Sequence, residues 1–409
     1  MHSQIFIRSA PKPAHLIRMT VYFHHPFTNS FRTVTFDDIQ TPTVILDWSR
    51  VSQNIDRMIA RSRHFGWQLR PHMKTAQCLT IYEYFRRKGV DTITCSSLDM
   101  AAYFAKGGCR DITVAFPVNV RQMDTIRQLA GSIQLNLLVV NSESIHLVGR
   151  HCPASVGIFI KIDTGARRTG LLPDDHEGIE ACLATMANYP HLRFRGFLTH
   201  AGHSYRTRSQ EEILRVHNES ANAMRKLKSR YGERYPSLVI STGDTPTCSV
   251  ADAGWEGIDE CRPGNFVFYD LMQVAIGSCK LEDIGVVLAC PVVALHPDRY
   301  EAIVYGGGIH LSKDRIEWQG NEIYGLPVLL EPSGWQAPEP GNYMRSLSQE
   351  HGVLQCTPAF FEKLRIGQLV GILPVHSCMM VDIATHYRLL SGEKWGKFHS
   401  ALRDGVEPK

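Results

Sequence analysis

The 409-residue chain contains no run of 18 apolar residues, so no segment is long and apolar enough for a membrane helix. It has no basic run either, and its net charge is only +4. That gives no basis for nucleic acid or an anionic membrane as a partner. The 11 cysteines are odd in number and include no C-x-x-C pair. Scattered thiols of this kind argue against a disulfide framework and for a reducing, cytoplasmic setting. Acidic residues are missing from residues 1–35, which carry Arg8, Lys12, Arg18 and Arg32. This segment lacks the continuous apolar core of a secretory signal. Pro11, Pro13 and Pro26 break any clean amphipathic helix of the mitochondrial type. It reads as an irregular arm.

What is present is an ordinary globular composition, 44% hydrophobic and 21% charged, in a chain long enough for two domains. Residues 36–275 alternate short apolar runs with helix-length segments. The runs are Gln68-Leu69-Arg70, Asp91 to Cys95, Asp111 to Phe116, Ile133 to Val140, Val156 to Asp163, Leu192 to Leu198, Leu238 to Ser241 and Glu260 to Arg262. Eight such units over about 200 residues predict a (β/α)8 TIM barrel. An open doubly wound sheet is the alternative. No G-x-G-x-x-G follows the first strand, which counts against a dinucleotide fold. From residue 276 to 409 extended runs recur and helical patterns are few, which predicts a C-terminal antiparallel β domain.

The polar clusters fall at predicted strand ends, the face of a barrel where chemistry is done. Arg70-Pro71-His72-Met73-Lys74-Thr75 stops its strand, because Pro71 forbids a helix there. Lys161-Ile162-Asp163-Thr164-Gly165-Ala166-Arg167-Arg168 places two arginines in a glycine-bearing turn. His200-Ala201-Gly202-His203-Ser204-Tyr205 sets imidazole and phenol together, a pairing able to orient an aromatic group or move a proton. Thr242-Gly243-Asp244-Thr245 and Arg262-Pro263-Gly264-Asn265 offer hydroxyls and backbone N–H groups for a phosphate. His376-Ser377-Cys378 follows the run Leu369 to Pro374. On a strand, residues i and i+2 share a face, so imidazole and thiolate can share one metal. Gly306-Gly307-Gly308 reads as a tight bend rather than an anion site.

Taken in this order, these motifs, with Gln349-Glu350-His351-Gly352, resemble the fold-type III pyridoxal-phosphate enzymes. Within that alanine racemase-like class they are similar to the D-serine dehydratase and D-threonine aldolase group. The resemblance implies that Lys74 holds pyridoxal 5'-phosphate as a Schiff base. It further implies Arg168 at the pyridine nitrogen, His200 and Tyr205 nearby, and Thr242, Gly243, Gly264 and Asn265 around the phosphate. It implies a divalent metal on His376 and Cys378. A thiolate ligand favours zinc over the harder manganese or magnesium. The implied partners are a small D-amino acid and a second copy of the chain in a homodimer. The family usually continues its lysine motif with His and Lys, where this chain has Ala76 and Gln77.

The expected activity is that of a lyase on D-β-hydroxy-α-amino acids. A metal that helps the β-hydroxyl leave gives a 2-oxo acid and ammonia, the D-serine dehydratase outcome. A metal-bound alkoxide instead gives aldolase cleavage. An amino-acid racemase needs no metal, so the His376 and Cys378 pair counts against it.

Overall fold

The structure, a computed structural model, describes residues 36–399. The expected N-terminal arm lies outside the described residues. The chain opens with β1 (Thr43–Leu46) and a long helix, Trp48–Phe65. That helix buries Val51, Ile55, Met58, Ile59 and Ser62 on one face, the spacing of an amphipathic helix. Asp47 caps it by accepting from the Arg50 N–H at 3.2 Å, and Gly66 ends it at φ 76°. A left-handed residue at this place is what glycine supplies without a steric penalty.

Eight strands follow, in the positions expected: β2 (Gln68–Leu69), β3 (Thr92–Cys95), β4 (Asp111–Pro117), β5 (Gln134–Val139), β6 (Val156–Ile162), β7 (Leu192–Thr199), β8 (Val239–Thr242) and β9 (Glu260–Cys261). All pair in parallel, in the order β2-β9-β8-β7-β6-β5-β4-β3. The remaining seam between β2 and β3 is closed by a bridge from His72 to Thr94. The Met73 N–H donates to Thr94 O at 2.8 Å and the Thr94 N–H to Pro71 O at 2.9 Å. The barrel is therefore sealed by the residues just before Lys74. Its strands are apolar on both faces, as in Val156–Ile162, where every residue is buried. That is how parallel strands read when they lie between helices and a packed interior.

The second sheet is mostly antiparallel. Its long strand β10 (Val286–His296) pairs antiparallel with Glu301–Tyr305, with Leu369–Pro374 and with β1. β1 also pairs in parallel with His386–Leu389. So the chain places its first described strand in the C-terminal sheet before it enters the barrel. Gly306 and Gly307 do mark a bend, and the reason is packing. A Cβ on Gly306 would meet Cys290 Sγ, and one on Gly307 would lie 2.5 Å from Gln349 O. Among the described residues no helix is long and apolar enough to cross a membrane.

Candidate active site

A cavity of about 370 Å3 opens at the carboxyl ends of the barrel strands. Lys74, Arg168, His200 and Gly243, all expected at the site, line it together. So do three residues that had no assigned role: His72, Lys161 and Arg262. The far wall is apolar, from Ala115, Phe116, Pro117, Leu138 and Leu198. Among the described residues no carboxylate lines this cavity, while Lys74, Lys161, Arg168 and Arg262 do. It is a site for an anion with an apolar body.

Local structure explains each placement. The Lys74 turn is held from the C-terminal side. Gln77, at φ 50°, donates from Nε2 to Lys74 O at 2.9 Å and to Asp382 Oδ1 at 2.6 Å. The Tyr387 hydroxyl donates to Ala76 O at 2.7 Å. The Asp163 carboxylate gathers the N–H groups of Gly165, Arg167 and Arg168 at 2.9, 3.1 and 3.1 Å. These bonds wrap the turn and bring Arg168 back over the mouth. His200 donates from Nδ1 to Gly243 O at 2.9 Å, because a carbonyl only accepts. Its Nε2 is therefore unprotonated. Burial, together with Lys74, Lys161 and Arg168, pushes His200 down to about 3. His72 is depressed by burial, then by Lys74 and Arg262. Both imidazoles are neutral at physiological pH. Lys161 is brought down to about 7 by burial and by the charges of Arg262 and Arg168.

Other expected residues surround the cavity without lining it. The Tyr205 ring lies 6.2 Å from that of His200, and its hydroxyl accepts from the Thr245 N–H at 3.3 Å. Thr242 Oγ1 faces Cys261 Sγ at 3.6 Å. Asn265 donates from Nδ2 to Asp270 at 2.6 Å and to Ser377 at 3.1 Å. With these side chains occupied, the turns offer backbone instead. The N–H groups of Gly243, Asp244 and Asn265 make no hydrogen bond among the described residues. A Cβ on Gly243 would lie 2.6 Å from Arg262 N, and one on Gly264 2.9 Å from His72 O. This glycine-walled set of unpaired donors fits a phosphate. With an amine at Lys74 and an apolar wall opposite, the residues present fit pyridoxal phosphate.

His376 and Cys378 come together, though not on a strand as expected. The strand ends at Pro374, and Ser377–Ile383 is a short helix with His376 as its N-cap. His376 keeps extended backbone, φ −133°, so its side chain stands outside the helical array and still meets Cys378. Asp270 fixes this helix against the barrel by accepting from Ser377 N and Oγ at 2.9 and 3.2 Å. Cys378 Sγ lies 3.1 Å from Thr75 Oγ1, one residue from Lys74. Burial disfavours charge on both partners but is outweighed, at His376 first by the hydrogen bond to Asp314 and then by Cys378, and at Cys378 by His376. His376, also bonded to Asp314, rises to about 10, and the Cys378 thiol falls. A thiolate beside an imidazolium becomes a donor set suited to a divalent metal once the cation displaces the ring's proton. Among the described residues no group of three or more His, Cys, Asp or Glu is arranged for one. The pair alone leaves positions open for substrate.

A parallel barrel with a lysine behind its first strand, its turn clamped by an antiparallel domain, is the fold-type III pyridoxal-phosphate architecture. The chain belongs to the family of the alanine racemase N-terminal domain, whose model matches residues 46–271. Residues 285–390 match the model of a serine dehydratase domain. A D-serine dehydratase of Dictyostelium discoideum is 29% identical over 87% of this chain and 95% of its own. The D-threo-3-hydroxyaspartate dehydratase of Delftia sp. is 29% identical over 88% of this chain and 98% of its own. A metal-free cysteine-to-alanine variant of that dehydratase superposes with a TM-score of 0.80 at 28% identity, over 88% of this chain and 97% of its own. A D-threonine aldolase of Arthrobacter is 23% identical over 83% of this chain and 86% of its own.

Proposed function

We propose that this protein is a pyridoxal-phosphate- and metal-dependent lyase that dehydrates D-β-hydroxy-α-amino acids, D-serine or a related D-3-hydroxy acid, to a 2-oxo acid and ammonia. The observation that carries the reading is the 3.1 Å contact between Thr75 Oγ1 and Cys378 Sγ. It brings Cys378 next to the neighbour of Lys74, which supports a metal on His376 and Cys378 acting on a β-hydroxyl beside the α-carbon that Lys74 would deprotonate.

When bound, the cofactor supplies an electron sink at the substrate's α-carbon and the metal a Lewis acid at its β-hydroxyl. Lys74 would hold the cofactor and, once released by the substrate amine, take the α-proton on Nζ. Gly243, Asp244 and Asn265 would hold the phosphate through backbone N–H groups, Gly264 leaving room for it where a Cβ would crowd His72 O, with Thr242 alongside. Arg168 and Arg262 keep two fixed guanidinium charges in the cavity for the ring and carboxylate. Neutral His200 lends its ring face, held in place by Gly243 O, with Tyr205 behind it. Phe116, Pro117 and Leu138 would give the cofactor ring an apolar wall to lie against. His376 and Cys378 would hold the metal, which we assign as zinc from the thiolate, ahead of manganese or magnesium.

We assign a homodimer as well. Phe116 stands 58% exposed at the rim, and Lys74 and Arg168 are exposed beside it, which suits coverage by a second copy. All 11 cysteines are free, in keeping with the cytoplasm as its compartment.

The test is a product assay with D-threonine. We expect 2-oxobutyrate and ammonia, loss of turnover on chelation and its return with zinc. Lys74→Ala should abolish both the visible absorbance of the bound cofactor and activity. Glycine and acetaldehyde as the main products would overturn the dehydratase reading in favour of an aldolase. Full activity without metal would reopen the racemase.

A further inference from the structure

We propose that Asp314 is a positioning residue for the metal pair, presenting His376 to the cation through its Nδ1. This rests on the metal reading above and extends it to a residue 62 positions away in sequence. Asp314 lies between the short helix Gly308–Leu311 and the hairpin strand Ile316–Trp318. Its Oδ2 is 2.9 Å from His376 Nδ1. An ionised carboxylate only accepts, so Nδ1 keeps its hydrogen, and Nε2 is the nitrogen that can give up its proton to a cation. A metal-bound histidine held in this way keeps its tautomer and ring orientation, and becomes a stronger donor.

The carboxylate is itself built into place. Ser312 Oγ donates to Asp314 Oδ2 at 3.2 Å and accepts from the Asp314 N–H at 3.2 Å. Ser312 adopts φ 68°, a left-handed conformation that a non-glycine residue holds only when its surroundings impose it. The chain that leads into this turn is tied down as well. The Gly306 N–H donates to Glu350 O at 2.9 Å and the Gly308 N–H to Ser348 O at 2.8 Å. The absence of a side chain on Gly307 lets the backbone pass against Gln349. The glycine run is thus fixed against residues 348–350 just ahead of the turn that carries Asp314.

The experiment measures zinc affinity of the full-length, cofactor-loaded protein by competition with a chromogenic chelator. Wild type should bind one zinc per chain and His376→Ala none. Asp314→Ala should weaken zinc binding by roughly 10- to 100-fold. Its thermal midpoint and cofactor absorbance should match wild type. Asp314→Asn, which keeps an oxygen for the Nδ1 hydrogen, should lose less, and it carries the test if the alanine variant fails to fold. Zinc affinity in both Asp314 variants within twofold of wild type, with His376→Ala zinc-free, would overturn the proposal and leave the metal reading standing. Zinc lost from Asp314→Ala as fully as from His376→Ala, with no recovery in Asp314→Asn, would overturn positioning in favour of direct ligation. Equal zinc binding by wild type and His376→Ala would overturn the metal reading and the proposal with it.

Discussion

Two buried arginines in the barrel interior, linked through Glu260 and Ser241, differ in one respect. Arg70 is 2% exposed and faces two carboxylates: its Nε lies 2.5 Å from Glu260 and its Nη1 2.8 Å from Asp111. Arg262 is 4% exposed and donates only to neutral oxygens, Ser241 Oγ and Thr199 O. Burial opposes the charge on both. At Arg70, Glu260 and Asp111 outweigh it and raise the pKa. At Arg262 burial wins and brings the group down to about 10. The first charge is neutralised by the protein itself. The second remains available to whatever enters the cavity. One residue type thus closes the floor of the barrel and equips its mouth.

The largest expected effect tests the floor. Arg70→Met leaves Glu260 and Asp111 facing each other without a cation and should cost about 3–5 kcal/mol of stability. Arg262→Met should cost less, roughly 1–3 kcal/mol for its lost hydrogen bonds, yet weaken cofactor binding at least tenfold. Denaturant unfolding and cofactor titration of the two variants measure this. A reversed ranking in stability would break the comparison.

Lys161 sharpens it, being a third buried cation, without a carboxylate bonded to its Nζ. Its folded value of about 7 lies below its ordinary 10.5. Between these values the unfolded chain binds more protons than the folded one, so this group makes stability rise as pH rises from 7. Below pH 7 the lysine is charged in both states and the full burial penalty remains. Lys161→Met should therefore remove roughly 2 kcal/mol of the stability difference between pH 7 and pH 9. Identical pH dependence in wild type and variant would show that Lys161 keeps its charge in the fold.

The smallest effect comes from an exposed arginine. Arg86, bonded to Glu83 at 2.7 Å on a helix surface, should cost under about 1 kcal/mol when changed to Ala. A loss near that of Arg70→Met would mean that burial is not what separates these sites.

Much of this was legible in the sequence, because periodicity reports local environment. The eight barrel strands stand out as short apolar runs, and Lys74, Arg168, His200 and Gly243 mark strand ends. Strand pairing is not local, so nothing in Thr43–Leu46 told of its place in the C-terminal sheet. The His376 and Cys378 pair was expected on a strand, whereas a helix begins at Ser377, three residues beyond Pro374, with His376 as its N-cap. Lys161 left a signal, as the one charged residue in an otherwise apolar strand. Arg262 stood in a motif valued for its glycine. Asp314 left none: its role depends on a contact across 62 residues.

The strand Thr43–Leu46 also sets an order of events at the ribosome. It is made first, yet the residues flanking it, Val286–Ala289 and Arg388–Leu389, emerge about 240 and more residues later. At ordinary translation speeds that interval is on the order of tens of seconds. Throughout it an apolar strand waits without partners while the barrel forms behind it. A nascent chain released early would expose that strand as a seed for aggregation. A barrel-only fragment would do the same unless it began beyond Leu46. A strand made early is thus sheltered only by segments made much later.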